Sequence, residues 1–305
     1  SADMKLIAKW KASGSETADP VKNFEDFIKN QPRNDQGEFD EIVISDYETL
    51  KALAAYVNAG NDCKGRTFVL GSDLTLGSDW TDIGNNTTNP FGGTLSGNGH
   101  TITYDDAKTP LFGTVSGRVS DIAVAGSGKI NGGIADTLLG GTIENCRVRS
   151  GSSFVGDDIA GGIVGTISTA NGSIPGGTVS GCTIEDGVSI TGGSYVGGIA
   201  GRVIGQDDKG SATISNCEVG AAAIKGTGCT TNPANGGGVG GLGGILGYGA
   251  GNIRDCMSDA LIEASKEGAY GIGGIVGVKG TTQGKMQIER CGFTGTIKAK
   301  NADSV

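Results

Sequence analysis

Over most of the chain the apolar positions come in threes and fours, alternate with Thr, Ser, Asn or a charged residue, and are cut off by Gly, Asn or Asp. TIENC, ending at Cys146, is one such stretch. TVSGC at Cys182, TISNC at Cys217, NIRDC at Cys256 and QIERC at Cys291 repeat it at spacings of 36, 35, 39 and 35 residues, and RVSDI fills the same slot with Ile122. Between these copies runs a glycine motif: GGIVG at 161–165, GGIAG at 197–201, GGILG at 243–247 and GGIVG at 273–277, with degenerate forms in NGGIAD (131–136) and PLFG (110–113). A third apolar piece follows, VSI at 188–190, AIK at 223–225, LIE at 261–263 and TIK at 296–298. Short alternating runs rich in Val, Ile and Thr predict strands, and the turn residues between them leave no room for a helix of about ten residues.

One period is one structural unit. Three short strands per unit, repeated without helices, predict a right-handed parallel β-helix in which each repeat is one coil. Coils stack at about 4.8 Å, so equivalent residues form columns along the axis. Ile163, Ile199, Ile245 and Ile275 are expected to make one inward column, the five repeat cysteines a second, and Val148, Ile184, Val219 and Phe293 a third. Residues 66–104 carry the same alternation with weaker repeats and read as the first coils. That gives seven or eight coils and a rod on the order of 35 Å long.

The first 60 residues have a different period. Asp19 and Pro20 are placed to cap and open a helix with Val21, Phe24, Phe27 and Ile28 on one face. Ser45 and Glu48 form a capping box ahead of Leu50, Leu53, Ala54 and Val57, which fall at helical spacing, with Gly60 as the stop. An open coil end leaves strand edges and apolar side chains bare, and an amphipathic helix would cover it. The expected division is therefore 1–60 as an N-terminal arm and helical cap, and 61–305 as the β-helix. The last coil shows no comparable cap, so the tail, a partner or further domains would have to cover it.

Composition sharpens this picture. Glycine, at 58 residues of 305, is in large excess while aromatics make up 5%, so turns and close packing must absorb it. The columns explain the need, with glycines beside inward residues allowing positive φ at corners and close approach between coils. A net charge of -9 argues against a nucleic-acid partner. No run approaches the roughly eighteen apolar residues of a membrane span. The chain opens at Ser1 without Met, which fits export after removal of a signal segment.

The order SDYETLKALAAYVNAGND, DLTLGSDWTDIG, NPFGGTLSGNGHTI, PLFG and then the GGI(V/A/L)G units resembles the bacterial GLUG-repeat proteins over about residues 42–298. The resemblance implies a pectate-lyase-like β-helix on an exported cell-surface or secreted protein, with a role in adhesion or ligand binding. Similar repeats also occur beside protease domains in larger exported proteins. Asp82 departs from the pattern, since proline is usual before Ile83 and Gly84.

Candidate chemistry is thin. The repeat cysteines are expected to be reduced core residues, because side chains stacked at about 4.8 Å do not meet the Cβ spacing near 3.8 Å that a disulfide needs. Cys63 and Cys229 lie outside the column and are the pair to test for a bridge. No cysteine spacing suits zinc, and no cofactor or metal is expected. His100, the single histidine, sits in a turn and reads as a residue bonding to backbone. Glu144, Ser180, Ser215, Arg254 and Glu289 form the outward column beside the cysteines, without an acidic cluster. Asp157 and Asp158 precede one glycine motif and Asp207 and Asp208 follow another, which separates them. No catalytic residue is assigned, and the reading is non-enzymatic; a polysaccharide lyase or hydrolase, which gathers acids on a lateral face, is the alternative. GLGGILG and GIGGIVG resemble a dinucleotide fingerprint, but no helix follows either. The sequons at Asn85, Asn86 and Asn171 mark exposed loops. Residues 226–243 depart most from the repeat, and insertions in solenoids collect on a binding face. Tyr195, Tyr248 and Tyr270 flank glycine motifs and are the expected ligand-binding residues, for a host or matrix glycan or protein; tyrosines with wet hydroxyls at corners are the plainer reading.

Overall fold

Each period contributes strands that pair in parallel with those one period on, as the columns require. The computed structural model describes residues 20–29, 41–169, 175–205, 212–228, 240–265, 271–280 and 285–299. Its strands form four sheets, three of them in chain order and the thirteen-stranded one running outward in both directions from the strand Ala123–Gly128, an all-β arrangement of parallel sheets wound as a solenoid. Every strand pairing among the described residues is parallel. In the first sheet, Ile143 registers with Val179, Val179 with Ile214, Ile214 with Ile253 and Ile253 with Ile288. The outward neighbours Glu144, Ser180, Ser215, Arg254 and Glu289 form the expected column.

The inward columns are where the pattern puts them. Ile163, Ile199 and Ile245 are fully buried, and their amides donate from one coil to the next, from Ile163 to Ile199 O at 3.0 Å and from Ile245 to Ile275 O at 2.9 Å. Val148, Ile184, Val219, Ser258 and Phe293 share a register. Cys146, Cys182, Cys217 and Cys256 are buried and Cys291 is half-buried; none of these, nor Cys63, is in a disulfide. The thiols of the repeat cysteines lie against the carbonyl two residues back, Cys256 Sγ 3.2 Å from Arg254 O and Cys291 Sγ 3.3 Å from Glu289 O, and those of Cys182, Cys217, Cys256 and Cys291 also face a carbonyl of the preceding coil, as Cys256 does Ile214 O at 3.7 Å, which suits a weak S–H donor. Cys229 lies outside the described residues.

The motif glycines serve close approach between coils, as expected, but not the positive-φ corners. The motif glycines do not take positive φ. A Cβ on Gly161, Gly197, Gly243 or Gly273 would collide with the carbonyl of the residue three positions on, across the motif's own turn. One on Gly162, Gly198 or Gly244 would collide with the carbonyl of the next coil's equivalent glycine. The positive-φ corner lies instead just before the cysteines, where it is taken by Asp121 (59°), Asn145 (52°), Gly181 (62°), Asn216 (54°), Asp255 (55°) and Arg290 (50°). Asn and Asp tolerate that conformation because their short polar side chains bond locally.

The N-terminal end is covered by two helices, α1 (Pro20–Lys29) and α2 (Tyr47–Asn58). Phe24 and Ile28 of α1 are buried, and Phe24 meets Tyr56 edge-on at 5.8 Å. Leu50, Leu53, Ala54 and Val57 of α2 are buried, with Gly60 just beyond the helix end. Asp19 lies outside the described residues. The cap of α2 is Asp46, not Ser45: Asp46 is extended and its carboxylate accepts from the Thr49 amide at 2.7 Å. Ser45 follows directly on strand Ile42–Ile44 and its carbonyl accepts from Ser72 Oγ at 2.7 Å, so Glu48 stands one place too early to close a box. That strand pairs with Thr67–Leu70, so the first sheet begins ahead of α2.

Candidate functional site

The glycine motif sits on a tight turn between two sheets, and side chains on either side of the turn meet across it. Tyr195 lies on the entering strand (Tyr195–Gly197), and Arg202 on the leaving strand (Ala200–Ile204). Tyr248, one coil on, registers with Arg202. The Tyr195 and Tyr248 rings are 5.2 Å apart at 61°, an edge-to-face pair, and the Arg202 guanidinium lies 5.6 Å from the centre of the Tyr195 ring. Arg202 Nε donates to Thr166 Oγ1 at 3.2 Å, in the coil before. The three side chains are half-buried. They pack into one lateral cluster of two aromatic rings and a cation.

Gly165, Gly201, Gly247 and Gly277, the last glycines of the motif, make this approach possible. A Cβ at Gly201 would stand 2.6 Å from Ile159 Cγ2, and one at Gly247 2.7 Å from the Val196 amide. Two of the three expected tyrosines are therefore brought together; Tyr270 lies outside the described residues. Arg202 is the member that sequence reading missed. It follows directly on GGIAG, in the position held by Thr166, Tyr248 and Val278 after the other copies, so extending the motif by one residue would have found it.

A second polar face runs beside the positive-φ corner. A groove of about 540 Å³ is lined by Asn98, Asp121, Asn145, Arg147 and Arg149. Glu185, from the next coil, lies 4.0 Å from Arg147 and 3.5 Å from Arg149 and accepts from the Ser150 amide at 3.0 Å. Arg118 pairs with Glu144 close by. His100 Nδ1 contacts Asp73 Oδ1 at 3.1 Å, a carboxylate rather than the backbone its turn position suggested. The Thr101 amide and His100 hold the Asp73 carboxyl below its usual range. Asp157 pairs with Lys129 at 2.8 Å, while Asp158 accepts from the Ser194 amide at 3.0 Å. Asp207, Asp208 and Asn171 lie outside the described residues; Asn85 and Asn86 are exposed.

Two further carboxylates went unnoticed in the sequence. Asp136 occupies the column position that is glycine in the adjoining coils, Gly113 and Gly165, and its Oδ1 is buried without a hydrogen-bond partner. Burial, and then the charge of Asp82, push its carboxyl up to about 6. Asp82 is 8% exposed, and burial raises it as well. A Cβ on Gly113 would collide with Asp82 Oδ2, so the Asp82 carboxylate fills the space above that glycine. The departure from proline at 82 thus puts a buried acid beside Asp136. Among the described residues no group of His, Cys, Asp and Glu is arranged to hold a metal.

No family model matches the chain. Comparison with curated proteins also finds no match. Among solved structures, a putative immunoglobulin A1 protease from Bacteroides ovatus is similar, with a TM-score of 0.66 and 20% identity over 88% of this chain and 79% of that one. What the two share is the fold, an all-β solenoid of parallel sheets.

Proposed function

We propose that the chain is an exported, non-enzymatic bacterial surface protein of the GLUG-repeat kind that binds a glycan or protein through lateral side chains. The solenoid is read as a right-handed β-helix of seven or eight coils, the default hand of parallel crossovers. One observation supports the binding role: Tyr195, Arg202 and Tyr248 converge from three strands and two coils into one half-buried lateral cluster. Aromatic side chains held on a rigid scaffold contribute contact area to a partner at small entropic cost. A glycan and matrix-protein array tests this. The intact chain is expected to bind, and Tyr195→Ala and Tyr248→Ala to lose roughly tenfold or more in affinity. Equal binding by all three would remove this cluster from the reading.

The name of the structural neighbour raises proteolysis for this chain. Serine or cysteine proteolysis needs a nucleophile beside a base, and among the described residues His100 makes no hydrogen bond to a serine or cysteine. Carbohydrate cleavage is favoured by a different observation, the Asp82–Asp136 pair, since a carboxyl that holds its proton near neutral pH suits a general acid. Neither acid lines the groove beside Arg147, and Asp136 Oδ1 is closed from solvent. Release of reducing ends from polysaccharides, lost in Asp136→Asn, would establish that reading instead.

A further inference from the structure

We infer that the groove beside the positive-φ corner is a second binding site, and that it takes an uncharged saccharide. It lies at the corner between the first and the thirteen-stranded sheets, whereas the strands of the Tyr195 cluster belong to the other two. Residue size opens the groove. Ala123 registers with Thr101 on one side and Arg147 on the other, so a methyl group stands between longer side chains in an outward column. With Asn98, Asp121 and Asn145 at successive corners, the resulting trough crosses three coils, on the order of 10 Å, and holds about 540 Å³.

The chemistry of the walls selects the ligand. Glu185, anchored on the Ser150 amide, lies 4.0 Å from Arg147 and 3.5 Å from Arg149, so one carboxylate holds both guanidinium groups in place. The arginine side chains are still 53% and 42% exposed and keep N–H groups for a ligand. Asp121 accepts from Asn145 Nδ2 at 3.4 Å, and the Asn98 side-chain amide has no hydrogen bond with a described residue. Two arginines against Asp121 and Glu185 leave no positive surplus for an anion, while amides, guanidinium groups and a carboxylate set donors and acceptors side by side. Hydroxyl groups, which both donate and accept, match that mixture. An acidic sugar would have to displace Glu185 from the arginines, against a net charge of -9 on the chain. A peptide would find no anchor, because the apolar residues of the lining, Ile122 and Ala123, are buried.

The test titrates the full chain with cellohexaose, mannohexaose and chitohexaose as uncharged probes and an oligogalacturonate as the acidic one. At least one uncharged probe is expected to bind, with an affinity that sodium chloride does not move and that Arg149→Ala and Asn145→Gly each lower roughly tenfold or more. Gly181 holds the same corner one coil on, so glycine at 145 keeps the backbone and removes only the amide. Arg290→Gln breaks an ion pair at this corner of the last described coil and is expected to bind like the parent. Thermal melts check each variant, and if one of the two groove variants melts early the other still reads the site. Binding of an uncharged probe that is lost in Tyr195→Ala but kept in Arg149→Ala and Asn145→Gly overturns this inference and leaves the lateral cluster as the binding site. Salt-sensitive binding of the oligogalacturonate alone overturns it too. No binding of any probe also overturns it, and the glycan and matrix-protein array then decides separately whether the chain binds through the Tyr195 cluster.

Discussion

Asp136 shows how much one side chain can cost in a column built for glycine. Its neighbours Gly113 and Gly165 put no side chain into the turn, whereas Asp136 brings in a carboxylate with one oxygen buried and unpartnered. Burial and Asp82 raise its folded value to about 6 from the ordinary 3.8. The native state therefore binds a proton that the unfolded chain releases. Stability from this group is fully present below about pH 3.8 and is lost as the pH rises through about 6. Asp136→Asn is expected to be more stable at pH 7 by on the order of 2 kcal/mol and to lose that advantage at pH 4, read from urea midpoints at the two pH values. The cysteine column makes a second residue-scale prediction. Hydrogen bonding with Cys146 and Cys217, and then burial, push the Cys182 thiol up, and burial pushes Cys63 up to about 12. Mass-spectrometric mapping after brief alkylation of the native protein should find label on half-buried Cys291, while Cys146, Cys182, Cys217 and Cys256 react only in denaturant.

Glycines of two kinds build the elements. Those of the motif stand where backbone touches backbone, and a methyl group at Gly198 has nowhere to go because the Gly244 carbonyl fills its place. Gly181 belongs to the positive-φ corner, where Asn145 and Asn216 serve one coil to either side. A side chain there meets Asn145 Oδ1 at 2.5 Å, the movable end of a side chain. Gly198→Ala is expected to destabilise by about 3 kcal/mol, and Gly181→Asn to stay within about 0.5 kcal/mol of the parent, by chemical denaturation. Near-equal effects would mean that backbone conformation, not coil spacing, governs the motif.

The first and the last described coils are built unequally. At the N-terminal end α1 and α2 cover the first strands, and Phe24, Leu50, Leu53 and Val57 are sealed. At the other end Ile275, Phe293 and Ile297 are only half-buried, although their column mates Ile245, Val219 and Ile262 are fully enclosed. Ile288 is 47% exposed. Among the described residues each strand of this coil is the last in its sheet, so its amides that would donate to a further coil find no described acceptor. Hydrogen exchange should therefore be faster over Gln287–Glu289 than over Thr142–Glu144, the equivalent strand flanked by coils on both sides. Equal protection would indicate that another chain segment or a second molecule seals this edge.

The sequence determined whatever repeats. A strand period of two, a coil period of 35 to 39 residues between cysteines and a helical period near the start suffice for the parallel strands, the buried thiol column and the cap, because each depends on residues close in the chain or at a constant spacing. Tertiary structure decided whatever depends on the turn between sheets. Asp46 caps α2 because the chain leaves Ile42–Ile44 extended through Ser45, which a capping pattern does not reveal. Arg202 joins Tyr195 and Tyr248, and Asp82 approaches Asp136, only because glycine lets two backbones close to a distance at which side chains from different coils share one space.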